Sequence, residues 1–217
     1  MIVAGVDEAG VGCWAGPLVV VAAAFREDVE LPKTVRDSKR LSMGQRENLI
    51  DEIYDRAEWV IIKTASPIYI NSKSGIWSVW DEVVDEVLLE CKDRKAGKII
   101  VDGSRMIESC RGITYEVKAD DKYREVSAAS IVAKFVQTSA MEDLHERFPD
   151  FLFDQHHGYG TEDHRRKLEE FGPTPAHRLS YKPVASYLES HPDEARSLRQ
   201  LELFDVIGLT TNIVCRR

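Results

Sequence analysis

Four carboxylates stand where an α/β chain commonly places its chemistry. Asp7 and Glu8 close the apolar run that starts at Ile2 and directly precede Ala9-Gly10-Val11-Gly12. Asp102 closes a second run, Lys98 to Val101, and precedes Gly103. Asp120 follows a third run, Ile113 to Val117, and comes just before a long helical stretch. Acids at strand ends collect along one edge of a sheet, and several of them held together repel one another unless cations intervene. Oxygen-only ligands suit Mg²⁺ or Mn²⁺ better than zinc. Two such ions, about 3.5–4 Å apart, would support phosphodiester hydrolysis by activating a water and stabilising the leaving oxygen. Taken singly, an acid at such a place is more often a turn former or helix cap. The metal reading therefore depends on the four converging in space.

The elements that must position these acids can be read from apolar periodicity. Ile2 to Asp7 and Leu18 to Phe25 read as strands joined by a Gly-rich turn, and Trp59 to Ala65 as a third strand. Ser42 and Gln45 form a capping box for a helix from Met43 to about Ala57. Ile76, Val79, Trp80, Val83, Val84, Val87 and Leu88 recur at helical spacing and mark a buried face, with the tryptophans as core. Strands are expected over Lys98 to Asp102 and Ile113 to Val117, then a helix over Val126 to Arg147. Ala128, Ala129 and Ala133 give that helix a small-residue face able to press closely on a sheet. A helix starts at Thr161 and ends before Gly172-Pro173, and the chain after Lys182-Pro183 reads as helical to about Leu203. This order predicts an α/β fold: a mixed sheet flanked by helices, with a helical C-terminal extension.

Composition narrows the classes further. The 217 residues fit one α/β domain with an appendage or two small domains, and 43% hydrophobic with 30% charged residues excludes a disordered chain. A net charge of -8 argues against nucleic-acid binding taken alone. Cations nonetheless cluster at Lys33, Arg36, Lys39, Arg40 and Arg46 and again at Arg165, Arg166, Lys167, Arg178 and Lys182. Cys13, Cys91, Cys110 and Cys215 show no CxxC spacing, which argues against a zinc site or a disulfide framework. With no signal-peptide pattern and no membrane-length apolar run, the expectation is a reduced, cytoplasmic, non-membrane and monomeric protein.

Read together, the short motifs resemble the ribonuclease HII family. The resemblance rests on Gly5-Val6-Asp7-Glu8-Ala9-Gly10-Val11-Gly12 with Ala15-Gly16-Pro17, on Asp37-Ser38-Lys39, and on Val101-Asp102-Gly103. It continues through Lys118-Ala119-Asp120-Asp121-Lys122 and Ala128-Ala129-Ser130-Ile131 with Ala133-Lys134. His156, Gly158-Tyr159-Gly160-Thr161, and His177-Arg178-Leu179-Ser180 with Lys182-Pro183 close the pattern, in family order. The resemblance implies a ribonuclease H-like catalytic domain over 1–184 and a tail over 185–217. It implies Asp7, Glu8, Asp102 and Asp120 as ligands of two divalent cations, Mg²⁺ or Mn²⁺. Asp7 would bridge both, Asp120 would lie on the attacking-water side, and Glu8 and Asp102 would lie on the leaving-oxygen side. Neighbours 7 and 8 point to opposite faces of a regular strand, so both can serve only if the strand ends at Glu8. Tyr159 would sit under the ribose near the 2′-hydroxyl. The Gly10-Val11-Gly12 backbone would approach the substrate, and Lys39, Lys134, Arg178 and Lys182 would contact phosphates.

Two departures bear on specificity. The family usually has Arg where this chain has Val11, and often Lys where it has His157. The sister family, ribonuclease HIII, also lacks that Arg, so a preference for longer RNA stretches is the alternative to cutting single embedded ribonucleotides. A non-catalytic duplex-binding module is a further alternative, against which the presence of all four acids counts. Beyond the catalytic motifs, Gln200-Leu201-Glu202-Leu203-Phe204 resembles the peptide by which bacterial proteins grip a sliding clamp. Leu203 and Phe204 would be its pocket-filling anchors. The competing reading is an amphipathic helix end that packs Leu201, Phe204 and Ile207 onto the domain.

Overall fold

A computed structural model of the chain describes the backbone of residues 1–35, 43–107, 112–204 and 210–215, with side chains described except at 33, 43–47, 199–204 and 210–215. Strand β1 (Ile2–Ala9) turns into β2 (Leu18–Arg26). Helix α1 (Met43–Arg56), β3 (Trp59–Ala65), the short α2 (Pro67–Asn71) and the long α3 (Ile76–Asp93) follow. Then come β4 (Lys98–Asp102), β5 (Ile113–Glu116), α4 (Arg124–Arg147), α5 (Phe153–His156), α6 (Glu162–Phe171), α7 (Lys182–Ser190), α8 (Pro192–Phe204) and β6 (Thr210–Cys215). The strands form one sheet in the order β5-β4-β1-β2-β3-β6. β1 pairs antiparallel with β2 and parallel with β4, so the sheet is mixed, as the element order predicts.

Both faces of the sheet are covered, which explains why β2 is apolar from Leu18 to Phe25. Leu18, Val20, Ala22 and Ala24 join the α3 stripe of Val79, Trp80, Val83 and Val87 on one face. Val19, Val21, Ala23 and Phe25 join Leu49, Ile50 and Ile53 of α1 and Ala128, Ala129 and Ala133 of α4 on the other. The alanine face of α4 thus does press onto the sheet. At Gly5 the approach is backbone to backbone: a Cβ there would lie 2.2 Å from the carbonyl carbon of Glu125 and the nitrogen of Val126.

The structure departs from the sequence reading in three places. Strand β1 continues past Glu8 to Ala9, which pairs with Val19, because the hairpin with β2 holds it in register. The tail is helical to Phe204 as expected, but residues 210–215 then form β6, antiparallel to β3 from Val60↔Cys215 to Ala65↔Thr210. The single helix expected after Lys182 is two helices, broken at His191, with Pro192 starting the second. The capping box at Ser42 lies outside the described residues.

Since neither partner at Gly5 is a flexible side chain, Gly5→Ala can be accommodated only by lifting α4 from β1. The expected loss is about 3 kcal/mol of unfolding free energy, the upper range for overpacking. It would be read as a lower urea midpoint at unchanged m-value. A wild-type midpoint would contradict the close approach.

Candidate functional site

The parallel register decides which acids share a face. Val6 stands opposite Val101, so Asp7 and Asp102 come next on their strands, level with each other. Val6 and Val101 belong to the α3-side core. Alternation therefore turns Asp7 and Asp102 together toward α4, and Glu8 toward α3. The expectation that β1 ends at Glu8 is corrected accordingly: Asp7 and Glu8 straddle the sheet end from opposite faces.

Each acid is held by local donors. Asp7 Oδ1 accepts the Glu8 N–H at 2.8 Å, and Ser130 on α4 also hydrogen-bonds the Asp7 carboxyl. Lys134, one turn further along α4, donates to Ser130 Oγ at 3.0 Å. Asp102 Oδ1 accepts the Ala119 N–H at 2.7 Å, at the start of the 3₁₀ turn Ala119–Asp121 that carries the half-buried Asp120. Burial pushes the Asp7 carboxyl up to about 6, with Asp102 adding to the rise while Ser130, Glu8 N–H and Lys134 oppose it. Burial pushes Glu8 up to about 7, reinforced by Asp7 and Asp102 and opposed by the nearby Trp80 indole.

Among the described residues, no group of three or more His, Cys, Asp or Glu side chains is gathered closely enough to enclose a metal ion. The donor set is nevertheless the right chemistry for divalent cations. Three carboxylates influence one another at a desolvated sheet end, and burial together with the neighbouring carboxylates pushes two of them toward protonation, a setting that favours divalent cations.

Substrate-side candidates gather around the turn between β1 and β2. Gly10 has φ +90, and a Cβ there would meet the Pro17 carbonyl oxygen at 2.6 Å. The Trp14 N–H donates to the Gly158 carbonyl at 2.8 Å, tying this turn to the loop that carries Tyr159. A Cβ on Gly12 would stand 3.9 Å from the Tyr159 ring, which is 49% exposed. Val11 packs against the α3-side core. Lys134 and Lys182 are exposed, as phosphate contacts require. Lys39 lies outside the described residues, as do the side chains of Gln200, Leu201, Leu203 and Phe204.

Arg178 is the clearest correction. Expected as a phosphate contact, it is fully buried. Its Nε donates to the Gly16 carbonyl at 3.0 Å and its Nη1 to the Val11 carbonyl at 3.2 Å and the Tyr181 hydroxyl at 3.1 Å. The Tyr181 hydroxyl donates to the same Val11 carbonyl. Three carbonyl and phenol oxygens thus take the donors expected to face a phosphate. In a trans peptide the N–H points opposite the C=O, so an inward Val11 carbonyl turns the Gly12 N–H outward.

Sequence reasoning missed Ser130, Tyr181 and Asn71 as members of the site. Ser130 had a signal, since it lies four residues before Lys134 on one helix face. Asn71 had none: its amide donates to the His177 carbonyl at 3.0 Å and accepts the Leu179 N–H at 2.8 Å, far away along the chain.

The model of the family described as Ribonuclease HII matches residues 4–184. The ribonuclease HII of Thermotoga maritima is 39% identical over 189 residues, covering 86% of this chain and 76% of that protein. Ribonuclease HII of Archaeoglobus fulgidus, solved in complex with PCNA, superposes with TM-score 0.72 at 32% identity, over 84% of this chain and 96% of that one. The ribonuclease H2 of Pyrococcus horikoshii OT3 gives TM-score 0.72 at 27% identity, over 88% and 99%.

The raised carboxyls fix the sign of a pH effect. Their folded pKa exceeds the unfolded value, so the stability they contribute is complete below about pH 4 and lost as pH rises through about 6 and 7. In metal-free buffer at pH 8, Asp7→Asn should therefore be more stable than wild type by roughly 2–3 kcal/mol, an advantage that disappears near pH 4. Added Mg²⁺ should raise the melting temperature of wild type at pH 8, but not that of Asp7→Asn combined with Asp102→Asn. A pH-independent difference, or equal Mg²⁺ responses, would contradict the site.

Proposed function

Because the chain belongs to the ribonuclease HII family, we propose that it hydrolyses the RNA strand of RNA–DNA hybrids, and ribonucleotides embedded in duplex DNA, by a two-metal mechanism leaving 5′-phosphate and 3′-hydroxyl ends. The strongest support is the level placement of Asp7 and Asp102 on one face at the end of β1 and β4, beside α4. Two Mg²⁺ or Mn²⁺ ions, when bound, supply the charge that activates water and stabilises the leaving oxygen. Asp7, Glu8, Asp102 and Asp120 would hold them. The protein's own groups do the rest. Ser130 and Lys134 orient Asp7 from α4, and the Ala119 N–H orients Asp102. The outward Gly12 N–H and the Tyr159 ring meet the ribose and phosphate at the scissile step, and the exposed Lys134 and Lys182 track the backbone.

Val11 keeps ribonuclease HIII-like specificity as a second reading, since an apolar side chain packed on the core offers a phosphate nothing. A cytoplasmic, monomeric enzyme is part of the same proposal. So is a sliding-clamp partner for residues 200–204 at the end of α8, a reading supported by the PCNA complex of the archaeal relative. No helix among the described residues is long and apolar enough to cross a membrane.

Two labelled duplexes test the enzyme, one with a long RNA stretch and one with a single ribonucleotide. Asp102→Asn should fold and lose several orders of magnitude in rate on both, and wild-type-like cleavage in Mg²⁺ would refute the metal role. Tyr159→Phe should impair the single-ribonucleotide substrate more, whereas Val11→Arg should improve it. Equal factors on the two duplexes would end those recognition roles. For the tail, the intact protein should bind a purified bacterial clamp and Leu203→Ala with Phe204→Ala should not. Equal binding, or none by wild type, would refute the clamp reading.

A further inference from the structure

Behind the Tyr159 loop, three imidazoles are buried together: His156, His164 and His177. The rings of His156 and His164 stack with centroids 4.3 Å apart, and the Nε2 atoms of His164 and His177 are 3.1 Å apart. The residues sit on different elements, α5, α6 and the loop before α7, and none is near the carboxylates in sequence.

The hydrogen bonds leave each ring one tautomer. His177 Nδ1 receives the Thr174 backbone N–H at 3.0 Å, so the ring proton of His177 is on Nε2. Two N–H groups cannot face each other at hydrogen-bond distance, so His164 Nε2 is bare and accepts from His177. The His164 proton is then on Nδ1, where it donates to the Tyr159 carbonyl at 2.9 Å. Independently, His156 Nδ1 receives the Gly158 N–H at 3.2 Å, and its Nε2 donates to the Phe151 carbonyl at 2.7 Å. All three rings are neutral. Burial, which pushes His164 down to about 4 and His177 to about 3, keeps them so. The result is a one-way chain of donors, from the Thr174 N–H through His177 and His164 to the Tyr159 carbonyl.

The loop at the end of this chain needs such a hold. Tyr159 lies between Gly158, at φ +83, and Gly160, so its own sequence restrains it little. Its ring is half exposed, and its hydroxyl hydrogen-bonds the Cys13 thiol. The bonds with His156 and His164 brace the backbone on either side of the Tyr159 Cα, alongside the Thr161 N–H, which donates to the same Tyr159 carbonyl at 2.9 Å, and the Trp14 N–H on the Gly158 carbonyl.

We propose that His164 and His177 are positioning residues for Tyr159, setting the tyrosine ring at the height and tilt at which it discriminates a ribose from a deoxyribose. The proposal rests on Tyr159 reading the 2′-hydroxyl. The histidines touch neither substrate nor metal; their effect passes through one carbonyl.

Two measurements on the full chain test it. Long-range ¹⁵N–¹H correlation of the imidazoles at pH 7.5 should show His164 protonated on Nδ1 and His177 on Nε2. The opposite tautomer, or a doubly protonated ring at either, overturns the relay. The second measurement compares kcat/KM on the single-ribonucleotide and long-RNA duplexes. His164→Leu should depress the single-ribonucleotide value roughly tenfold more than the long-RNA value, the worth of about one hydrogen bond. His164→Asn, whose amide nitrogen stands near the position of Nδ1, should stay within a few-fold of wild type and covers the case in which the leucine variant does not fold. In a Tyr159→Phe background, His164→Leu should add little, since both act on one contact. If Tyr159→Phe leaves the substrate ratio unchanged, the recognition role of Tyr159 fails and the proposal with it. If Tyr159→Phe shifts the ratio while His164→Leu slows both substrates equally, or adds in full, the positioning role alone is overturned.

Discussion

Helix α4 lies on β1 with nothing between their backbones at Gly5, and much of the rest follows from that contact. A helix held this close presents Ser130 and Lys134 to the end of the strand at fixed distance, where Asp7 needs them. It also fixes the preceding 3₁₀ turn, from which the Ala119 N–H reaches Asp102 and on which Asp120 rides. Three of the four acids therefore owe their setting to one missing side chain. The fourth, Glu8, looks the other way and is set by α3 through Trp80.

The site is built from groups that would be unfavourable elsewhere. Asp7 and Glu8 are desolvated beside a third carboxylate, and the protein spends stability to keep them there. Not far away, Arg178 is buried with carbonyls and a phenol as partners, and its Nη2 has none. Backbone dipoles offset its charge in place of a carboxylate, and the carbonyls so engaged belong to the turn carrying Gly10 and Gly12. Negative charge is thus concentrated where cations would sit, and a positive charge lies beneath the loop that would meet a phosphate. A chain whose net charge is -8 can approach nucleic acid on such local terms.

The two-faced burial of β2 and the helical stripe of α3 were legible because each is a local period imposed by a core. The acids were legible because each ends an apolar run or, as Asp120 does, closely follows one. That Asp7 and Asp102 share a face was not, since it depends on the Val6↔Val101 register, which periodicity does not specify. Arg178 was misread because an arginine is exposed by default, and nothing local reveals that Gly16 and Val11 will turn carbonyls toward it. The histidine relay joins residues from three separate elements and leaves no pattern in one dimension. Strand β6 does carry a signal, the β-branched Thr210, Thr211, Ile213 and Val214, but one short run beyond the helix does not say which edge of the sheet it joins.

That last strand affects how the molecule is made. β6 pairs along β3 from Val60 to Ala65, so the outer edge of β3 has no partner until residues 210–215 have left the ribosome. During synthesis the sheet can assemble from β1 through β5, while an apolar strand, Trp59–Ala65, keeps a row of unpaired N–H and C=O groups open to any other extended chain. Closing that edge is the most non-local pairing in the sheet and carries its largest loop-closure cost. Translation itself therefore imposes an interval in which a nascent chain is prone to strand-to-strand association with its neighbours on a polysome, and which ends only when β6 docks.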